Sequence, residues 1–248
     1  MVLKRKKKLI TKRLHDKLYI NENRYNLPKL IFKDIAKKIK YNYFNKTIKI
    51  ADVGCATGEF CFYLRKVLPK SDIYGFDVLD TLLKKAREKV KDVKFFNKSI
   101  LSKKFGHNKK FDVVTCLGVV GIFDSFEDTI LNLLKITKPG GKIYLQALIN
   151  DYDLNINIRY SYSKNWIYRK PKYWETGWNI FSKRNVINFL KKKKVRFKMY
   201  KNIIKYDQKI NNSDHMRSWT VKLNGKKKLI NGLNFIIPEY IIEIVKKK

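Results

Sequence analysis

The chain has 248 residues, of which 44% are hydrophobic, and its formal net charge is +36. This length and apolar content fit one large domain, or a domain with an elaboration, that buries a sizeable core. The longest uncharged apolar run, residues 113–123, is about half of the roughly 20 residues that a membrane-spanning helix needs, so we expect no membrane span.

Residues 1–46 are predicted to form a basic N-terminal segment with a helix at 30–41, because Leu30, Ile31, Ile35 and Ile39 share one face. From residue 47 onward, strands and helices alternate. The predicted strands are 48–53, 72–76, 93–96, 111–117 and 142–148, and the predicted helices are 59–68, 81–90 and 125–136. This order predicts an α/β fold of the Rossmann-like, doubly wound kind, with a mostly parallel sheet that binds ligands at the carboxyl ends of its strands.

The alternation stops after residue 149. Residues 151–180 contain three of the four tryptophans and five tyrosines without a regular period, so we interpret them as an insertion in a domain spanning 47–248. A helix at 182–194 and a strand at 195–204 are predicted next, and Asn224-Gly225 marks a hairpin after a strand at 217–223. A last apolar stretch at 241–245 leads us to expect seven strands, with an antiparallel C-terminal strand.

The stretch IKIADVGCATGEFCFYL, residues 48–64, places small residues between a strand and a helix. A phosphate-binding P-loop requires Lys after its last glycine, but Glu59 follows Gly58. A dinucleotide-binding loop is also disfavoured, because Glu59 would stand where a pyrophosphate approaches the helix. Small residues let the backbone approach a ligand closely, and the acidic residues Asp52 and Glu59 favour a ligand with positive charge.

This stretch resembles motif I of the class I S-adenosylmethionine-dependent methyltransferases, in which an acidic residue precedes Gly-x-Gly-x-Gly. S-Adenosylmethionine carries an ammonium and a sulfonium group and no phosphate. The resemblance implies cofactor contacts by Asp52, Gly54, Ala56 and Gly58, with Ala56 standing for the middle glycine. In this family the acid that ends the second strand holds the ribose hydroxyls, a role that the resemblance gives to Asp77, nineteen residues after Gly58.

The resemblance extends over about 100 residues, from 48 to 148. VKFFNKSIL occupies the third-strand position and implies adenine contacts by Ser99 and Ile100, although many relatives carry Asp in place of Ser99. FDVVTCLGVVGIFD matches the fourth strand and implies that Cys116 and Leu117 lie near the methionine end of the cofactor. LLKITKPGGKIYL matches the helix, turn and fifth strand. A Rossmann-like domain for another nucleotide is the alternative.

Methyl transfer is an in-line displacement that depends mainly on holding the acceptor in position and excluding water, and a general base helps hydroxyl acceptors. His215 is a candidate base, because the neighbouring Asp214 would orient its imidazole. Asp151, directly after the fifth strand, is a second candidate. Asp153 and Glu175 are weaker rivals, and the two other histidines, at positions 15 and 107, are expected at the surface.

The aromatic insertion is the expected cover of the acceptor. Trp166, Tyr168, Trp174 and Trp178 are predicted to contact the acceptor by stacking on a sugar or a base, with packing of the cover itself as the alternative. The fourth-strand loop lacks the Asn/Asp-Pro-Pro-aromatic motif of many base-amine methyltransferases. No Pro-Cys pair is present for attack on a pyrimidine carbon, since Cys116 follows Thr115.

The leading hypothesis is methyl transfer to an oxygen or nitrogen atom of a small polar acceptor such as a sugar or a sugar nucleotide. The alternative is an RNA methyltransferase that uses a lysine-rich surface, and a third hypothesis is a binding module without catalysis. The chain has 47 lysines and ten arginines and is rich in Asn, Ile and Tyr, a composition typical of AT-rich genomes. Nucleic-acid readers favour Arg for bidentate contacts.

The cysteines point to a reducing compartment. The chain has three cysteines, Cys55, Cys61 and Cys116. An odd number argues against a disulfide framework, and the absence of paired metal-ligand spacing predicts no metal site. The basic N-terminus has no apolar stretch after it that is long enough for a secretory signal. We therefore expect a cytoplasmic protein with buried or loop thiols.

Overall fold

The computed structural model describes residues 11–12, 15–102, 105 and 110–247. Within these ranges the α-helices are α1 (Leu30–Asn42), α2 (Glu59–Val67), α3 (Asp80–Lys89), α4 (Glu127–Ile136) and α5 (Lys183–Lys192). The strands up to the insertion are β1 (Thr11–Lys12), β2 (Lys49–Val53), β3 (Asp72–Asp77), β4 (Val93–Asn97), β5 (Phe111–Leu117) and β6 (Thr137–Asn150). The later strands are β7 (Arg159–Tyr160), β8 (Trp166–Ile167), β9 (Lys170–Pro171), β10 (Trp174–Thr176), β11 (Phe181–Ser182), β12 (Arg196–Lys201), β13 (Trp219–Leu223), β14 (Lys226–Ile230) and β15 (Glu239–Val245).

The central sheet has the strand order β12-β15-β6-β5-β2-β3-β4. The five strands from β6 to β4 are parallel, whereas β15 lies antiparallel between β6 and β12. The short strand β11 pairs with the end of β6. The sheet confirms the predicted α/β fold, which is Rossmann-like and mostly parallel with an antiparallel C-terminal strand.

The sheet is covered on both faces because its central strands are apolar on both sides. One core cluster joins the sheet to α1, α2 and α3 through residues such as Ile35, Leu64 and Leu83. The other joins it to α4 and α5 through residues such as Leu133 and Leu190. This two-sided packing makes the fold doubly wound, and all three cysteines are buried within it as free thiols.

Several element boundaries differ from the sequence-based prediction, and two of these differences have a clear cause. β6 begins at Thr137 and includes the expected KPGG turn, because Gly140 and Gly141 exchange backbone hydrogen bonds with Lys246 beyond the end of β15. α5 begins after Ser182, whose hydroxyl accepts from the backbone N–H of Asn185 as an N-cap.

The predicted Asn224-Gly225 hairpin turn is present between β13 and β14, and both residues have positive φ, 48° and 71°. Such values are those of a type I′ turn.

The N-terminal segment and the insertion meet in a second, small sheet. β1 pairs in parallel with β10, and β10 pairs antiparallel with β7. A 3₁₀ helix at His15–Asn21 follows β1 and packs against α3. Across the described ranges, every helix is too short or too polar to cross a bilayer. The small sheet places both segments beside the carboxyl ends of the central strands.

Candidate active site

A cavity of about 1510 Å³ opens at the carboxyl ends of β2, β3, β5 and β6. The sheet order reverses here, since β3 and β5 follow β2 along the chain but lie on opposite sides of it. Ligands of open α/β sheets bind at such a switch point. The cavity therefore lies where the sequence predicted a ligand.

The loop after β2 is held against the end of β3. The backbone N–H groups of Gly54 and Cys55 both donate to the carbonyl of Phe76, at 2.7 and 3.1 Å. Ala56 adopts a left-handed φ of 47°, so an alanine is accommodated in place of the middle glycine of the motif. Gly54 and Ala56 both line the cavity.

Gly58 is placed differently from the other small residues of the loop. It is not among the described residues that line the cavity. It has a φ of 78°, and a Cβ atom there would lie 3.0 Å from the ring of Phe95 and 3.1 Å from the Cβ of Ala86. A glycine is required at this position for the turn and for packing against α3 and β4.

Asp77 connects the motif I loop to the end of β3. Its Oδ2 accepts from the backbone N–H of Ala56 at 2.9 Å, and its Oδ1 accepts from Leu79 at 2.9 Å. Burial raises the pKa of the Asp77 carboxyl above its ordinary value, while these hydrogen bonds oppose that change. The side chain lines the cavity with both oxygens fixed in position.

Asp52 lines the cavity but is only 4% exposed. Its Oδ1 accepts from the hydroxyl of Thr115 at 2.7 Å, and its Oδ2 accepts from the thiol of Cys61 at 3.7 Å. Burial raises its pKa to about 6, since desolvation disfavours the charged form. Asp52 is therefore a poorly solvated acid at the base of the cavity.

Three of the four residues predicted to contact the adenine and methionine parts of the cofactor line the cavity. Ser99, Ile100 and Leu117 line the cavity, and the Ser99 hydroxyl also accepts from the backbone N–H of Leu101. Cys116 does not belong to the lining and is fully buried in the core. Successive side chains of a strand point to opposite faces of the sheet, and that of Cys116 points into the core.

The two predicted catalytic residues lie outside the described lining of the cavity. His215 is exposed at the surface. Asp151 lines a second, smaller cavity and accepts from Lys201 Nζ at 2.5 Å and from the hydroxyl of Tyr240. These hydrogen bonds, that of Lys201 first, lower the pKa of Asp151 to about 2, so it is a weak base.

The weaker candidates for the general base form hydrogen bonds with residues of the N-terminal segment and α5. Asp153 accepts from the Ser182 hydroxyl at 2.8 Å and from Arg184 at 3.0 Å. Glu175 is 1% exposed and accepts from the backbone N–H of His15 at 3.0 Å. His15 itself is 4% exposed and lines the cavity, so the expectation of a surface histidine is wrong there. Position 107 lies outside the described residues.

Of the four predicted acceptor aromatics, Trp178 lines the cavity. Trp166, Tyr168 and Trp174 lie in the outer part of the insertion, where Tyr168 is 96% exposed. The rings of Trp166 and Trp174 pack edge to face at 6.5 Å between centroids. For Trp166 and Trp174 the structure agrees with packing within the cover, whereas the Tyr168 side chain projects into solvent.

The N-terminal segment binds the motif I loop, which the sequence patterns did not indicate. The hydroxyl of Tyr25 donates to the carbonyl of Thr57 at 2.8 Å. The backbone N–H of Arg24 donates to Glu59 Oε1 at 2.6 Å, so the acid that opens α2 faces the N-terminal segment. Residues 15–38 thus supply one wall of the cavity.

A buried charge cluster joins this segment to the loop before β13. Arg217 pairs with Glu22, and its Nε donates to Asp214 Oδ2 at 2.9 Å. Asp214 Oδ1 lies 3.5 Å from Nδ1 of His15, and the Arg217 guanidinium stacks on the ring of Tyr19 at 4.7 Å. No local motif marks this cluster, because its members come from distant parts of the chain.

The sequence matches the methyltransferase-domain family over residues 23–193. The chain therefore belongs to the methyltransferase-domain family, and its fold is that of the class I S-adenosylmethionine-dependent methyltransferases. Within the described residues, no group of three or more His, Cys, Asp or Glu side chains is arranged to hold a metal ion.

Curated relatives differ in their acceptors. The chain is 23% identical over 158 residues to a malonyl-[acyl-carrier protein] O-methyltransferase of Priestia megaterium, covering 64% of this chain and 58% of that protein. It is 34% identical over 116 residues to a tRNA U34 carboxymethyltransferase of Helicobacter acinonychis, covering 44% of each. The matches thus span about half the length of these relatives.

Solved structures share the fold at low identity. The N-methyltransferase NodS of Bradyrhizobium japonicum, in complex with S-adenosyl-L-homocysteine, aligns with a TM-score of 0.55 at 13% identity, covering 94% of this chain and 97% of that one. The magnesium protoporphyrin IX methyltransferase of Synechocystis, with bound S-adenosylmethionine, aligns with a TM-score of 0.52 at 11% identity, covering 88% and 79%.

Proposed function

We propose that this methyltransferase transfers a methyl group from S-adenosylmethionine to an oxygen or nitrogen atom of a small polar acceptor, such as a sugar or a sugar nucleotide. The observation that carries the proposal is the charge balance of the cavity. Eight acidic residues line it within the described ranges, and they are matched by eight Lys or Arg residues. The whole chain has 21 acidic residues against 57 Lys and Arg.

This balance places most of the positive charge outside the cavity. A polyanion held within it would require a clear excess of positive charge, because phosphate contacts dominate nucleic-acid affinity. A small polar molecule requires instead a few placed polar groups in a largely apolar enclosure. The cavity wall offers this mixture: Leu148, Met216 and Leu229 line it alongside Gln146 and Asn202.

The cofactor fits the other end of the same cavity. Asp77 would hold the ribose hydroxyls, and the backbone of Gly54 and Ala56 would allow the close approach of the methionine part. Gly118 has a φ of 76°, and a Cβ atom there would meet only Gln146 Oε1, at 3.9 Å, so this position leaves room for a ligand. When bound, S-adenosylmethionine supplies an electrophilic methyl group.

RNA methylation is the second candidate. Its support is the lysine excess outside the cavity and the 34% identity to a tRNA U34 carboxymethyltransferase over 44% of the chain. On this hypothesis the lysines would hold phosphates, and binding would weaken steeply with salt.

The test is incubation of the purified protein with methyl-labelled S-adenosylmethionine and an extract of its source cells, followed by fractionation with and without ribonuclease. We expect label in the small-molecule or glycan fractions. Label that ribonuclease releases would contradict the proposal and support the RNA alternative. Asp77→Ala should abolish the labelling, whereas the matched Asp80→Ala, at a 72% exposed side chain three residues away, should retain it.

A further inference from the structure

Glu239 is a carboxylate in the part of the cavity wall that we propose for the acceptor, and no role in cofactor binding has been assigned to it. Glu239 opens β15 and pairs across the sheet with Leu148 of β6, while Ile241 pairs with Gln146. Residues directly opposite each other on neighbouring strands project to the same face, and so do alternate residues of one strand. All four residues accordingly line the cavity.

Neighbouring amides hold the Glu239 side chain in place. Asn202 Nδ2 donates to Glu239 Oε2 at 2.8 Å, and the backbone N–H of Asn202 donates to the Glu239 carbonyl at 2.9 Å. The side chain of Gln146 also forms a hydrogen bond with the carboxylate. The two amide partners restrict the rotation of the Glu239 side chain, and the backbone bond fixes the position of its main chain.

The charged and titratable groups that face Glu239 are Lys29 from the N-terminal wall and Tyr206 from the loop after β12, with Arg24 beyond Tyr206. Burial raises the pKa of the Glu239 carboxyl, and the Asn202 hydrogen bond and Lys29 oppose this effect. The carboxylate is therefore a stronger base than an ordinary glutamate.

Gln146 connects Glu239 to the loop that follows β5. Gln146, its hydrogen-bond partner, pairs in register with Leu117 at the end of β5. Gln146 Oε1 is 3.9 Å from the Cβ position of Gly118. One amide side chain thus separates Glu239 from the loop to which the family resemblance assigns the methionine part of the cofactor.

We propose that Glu239 is the general base that accepts the proton of the acceptor hydroxyl or amine during methyl transfer. This inference rests on the proposed function. The acceptor atom forms a bond to the methyl carbon as the carbon–sulfur bond breaks, and the bonding electron pair stays on sulfur. The proton of the acceptor passes to the Glu239 carboxylate and then to solvent. Asn202 and Gln146 are positioning residues.

The test compares Glu239→Gln with Glu243→Gln. Glu243 lies on the same strand, pairs with Lys142 at 3.0 Å and is absent from the described cavity lining. The assay measures label transferred from methyl-labelled S-adenosylmethionine into the ribonuclease-treated small-molecule fraction, and calorimetry measures the binding of S-adenosylhomocysteine. We expect Glu239→Gln to lower the rate roughly 10²–10⁴-fold, the usual range for a general base. Binding of S-adenosylhomocysteine should change less than about twofold.

A second readout needs no turnover. The chain has seven glutamates, so carboxyl-¹³C-labelled glutamate gives few resonances in the cofactor-free protein. We expect the resonance missing from Glu239→Gln to titrate above the ordinary glutamate pKa of about 4.3. The wild-type rate should rise with pH through that midpoint, and Glu239→Gln should lose this rise.

Equal transfer rates for the two variants would overturn the inference, and so would titration of the Glu239 resonance at or below the ordinary value. Failure of the proposed function has a different signature. In that case the wild-type protein itself would transfer no label to small molecules, and the base assignment would fall with it.

Discussion

Replacing Asp52 with asparagine is expected to stabilise the cofactor-free protein at neutral pH and to have little effect in acid. The side chain is buried, and burial raises its pKa from 3.8 to about 6. Asparagine removes the buried charge while keeping an acceptor for the Thr115 hydroxyl, which donates to Asp52 at 2.7 Å. The change thus tests the cost of desolvating this carboxylate.

The sign and the size of the effect follow from proton linkage. Between pH 3.8 and about 6 the folded protein holds a proton that the unfolded chain has lost, so the free energy of unfolding falls as pH rises through this window. Each pH unit between the two pKa values corresponds to about 1.36 kcal/mol, so the wild-type protein loses about 3 kcal/mol of its free energy of unfolding by the time the pH exceeds 6. Below pH 4 this loss is less than about 1 kcal/mol.

The assay is urea or thermal unfolding of wild type and Asp52→Asn at pH 4 and pH 7.5, without cofactor. For a chain of this size, about 3 kcal/mol corresponds to a rise of roughly 6–12 °C in Tm at the higher pH. Asp72→Asn, at an exposed position on the neighbouring strand, is the control for loss of one charge. An Asp52→Asn effect of the same size at both pH values would refute the reasoning.

Three further predictions follow from the site. Asp77→Ala should weaken S-adenosylhomocysteine binding by roughly 100-fold or more in calorimetry, because hydrogen bonds to a charged group contribute about 1.5–3 kcal/mol each. Arg217→Ala should lower the free energy of unfolding by about 3–5 kcal/mol in urea titrations, because it leaves the buried Asp214 without its guanidinium partner and leaves Glu22 to the more exposed Arg24 and Lys29. Asp151→Asn should leave the methyl-transfer rate within about twofold of wild type, since Asp151 lies outside the described cavity lining.

Exposed positions supply matched controls for these variants. Arg184→Ala removes a guanidinium that is 73% exposed and pairs with Asp153, and it should cost less than about 1 kcal/mol. An equal loss for Arg184→Ala and Arg217→Ala would contradict the account of the buried cluster. A large loss of activity in Asp151→Asn, with S-adenosylhomocysteine binding retained, would return Asp151 to the catalytic candidates.

The cofactor half of the site could be predicted because its residues are close in sequence and follow strand ends. Gly54 and Ala56 come directly after β2, and Asp77 ends β3, so the parallel sheet places them together. Cys116, one residue before Leu117 on β5, lies in the core instead of on the cavity wall. Neighbouring residues of a strand point to opposite faces of the sheet. A motif match therefore identifies the strand, but it does not say which of its side chains face the cavity.

The part of the cavity that we propose for the acceptor could not be predicted, because it is assembled by tertiary contacts between distant segments. Glu239 and Asn202 meet through the antiparallel pairing of β12 and β15, and neither belongs to a local motif. Three of the four aromatic residues predicted from the insertion, Trp166, Tyr168 and Trp174, lie outside the described lining of the cavity. Composition identifies the insertion, but it does not give the position of each ring, which depends on how the insertion folds against the N-terminal segment through β10 and β1.

The motif I loop has a second task besides the one that the resemblance implies. Its Thr57 carbonyl and the adjoining Glu59 carboxylate bind the N-terminal segment, through the Tyr25 hydroxyl and the Arg24 backbone. Ala56, in the same loop, donates its N–H to Asp77. The same loop thus contacts both the N-terminal segment and Asp77. The hydrogen bond from Arg24 therefore accounts for an acid at position 59 independently of the charge of the cofactor.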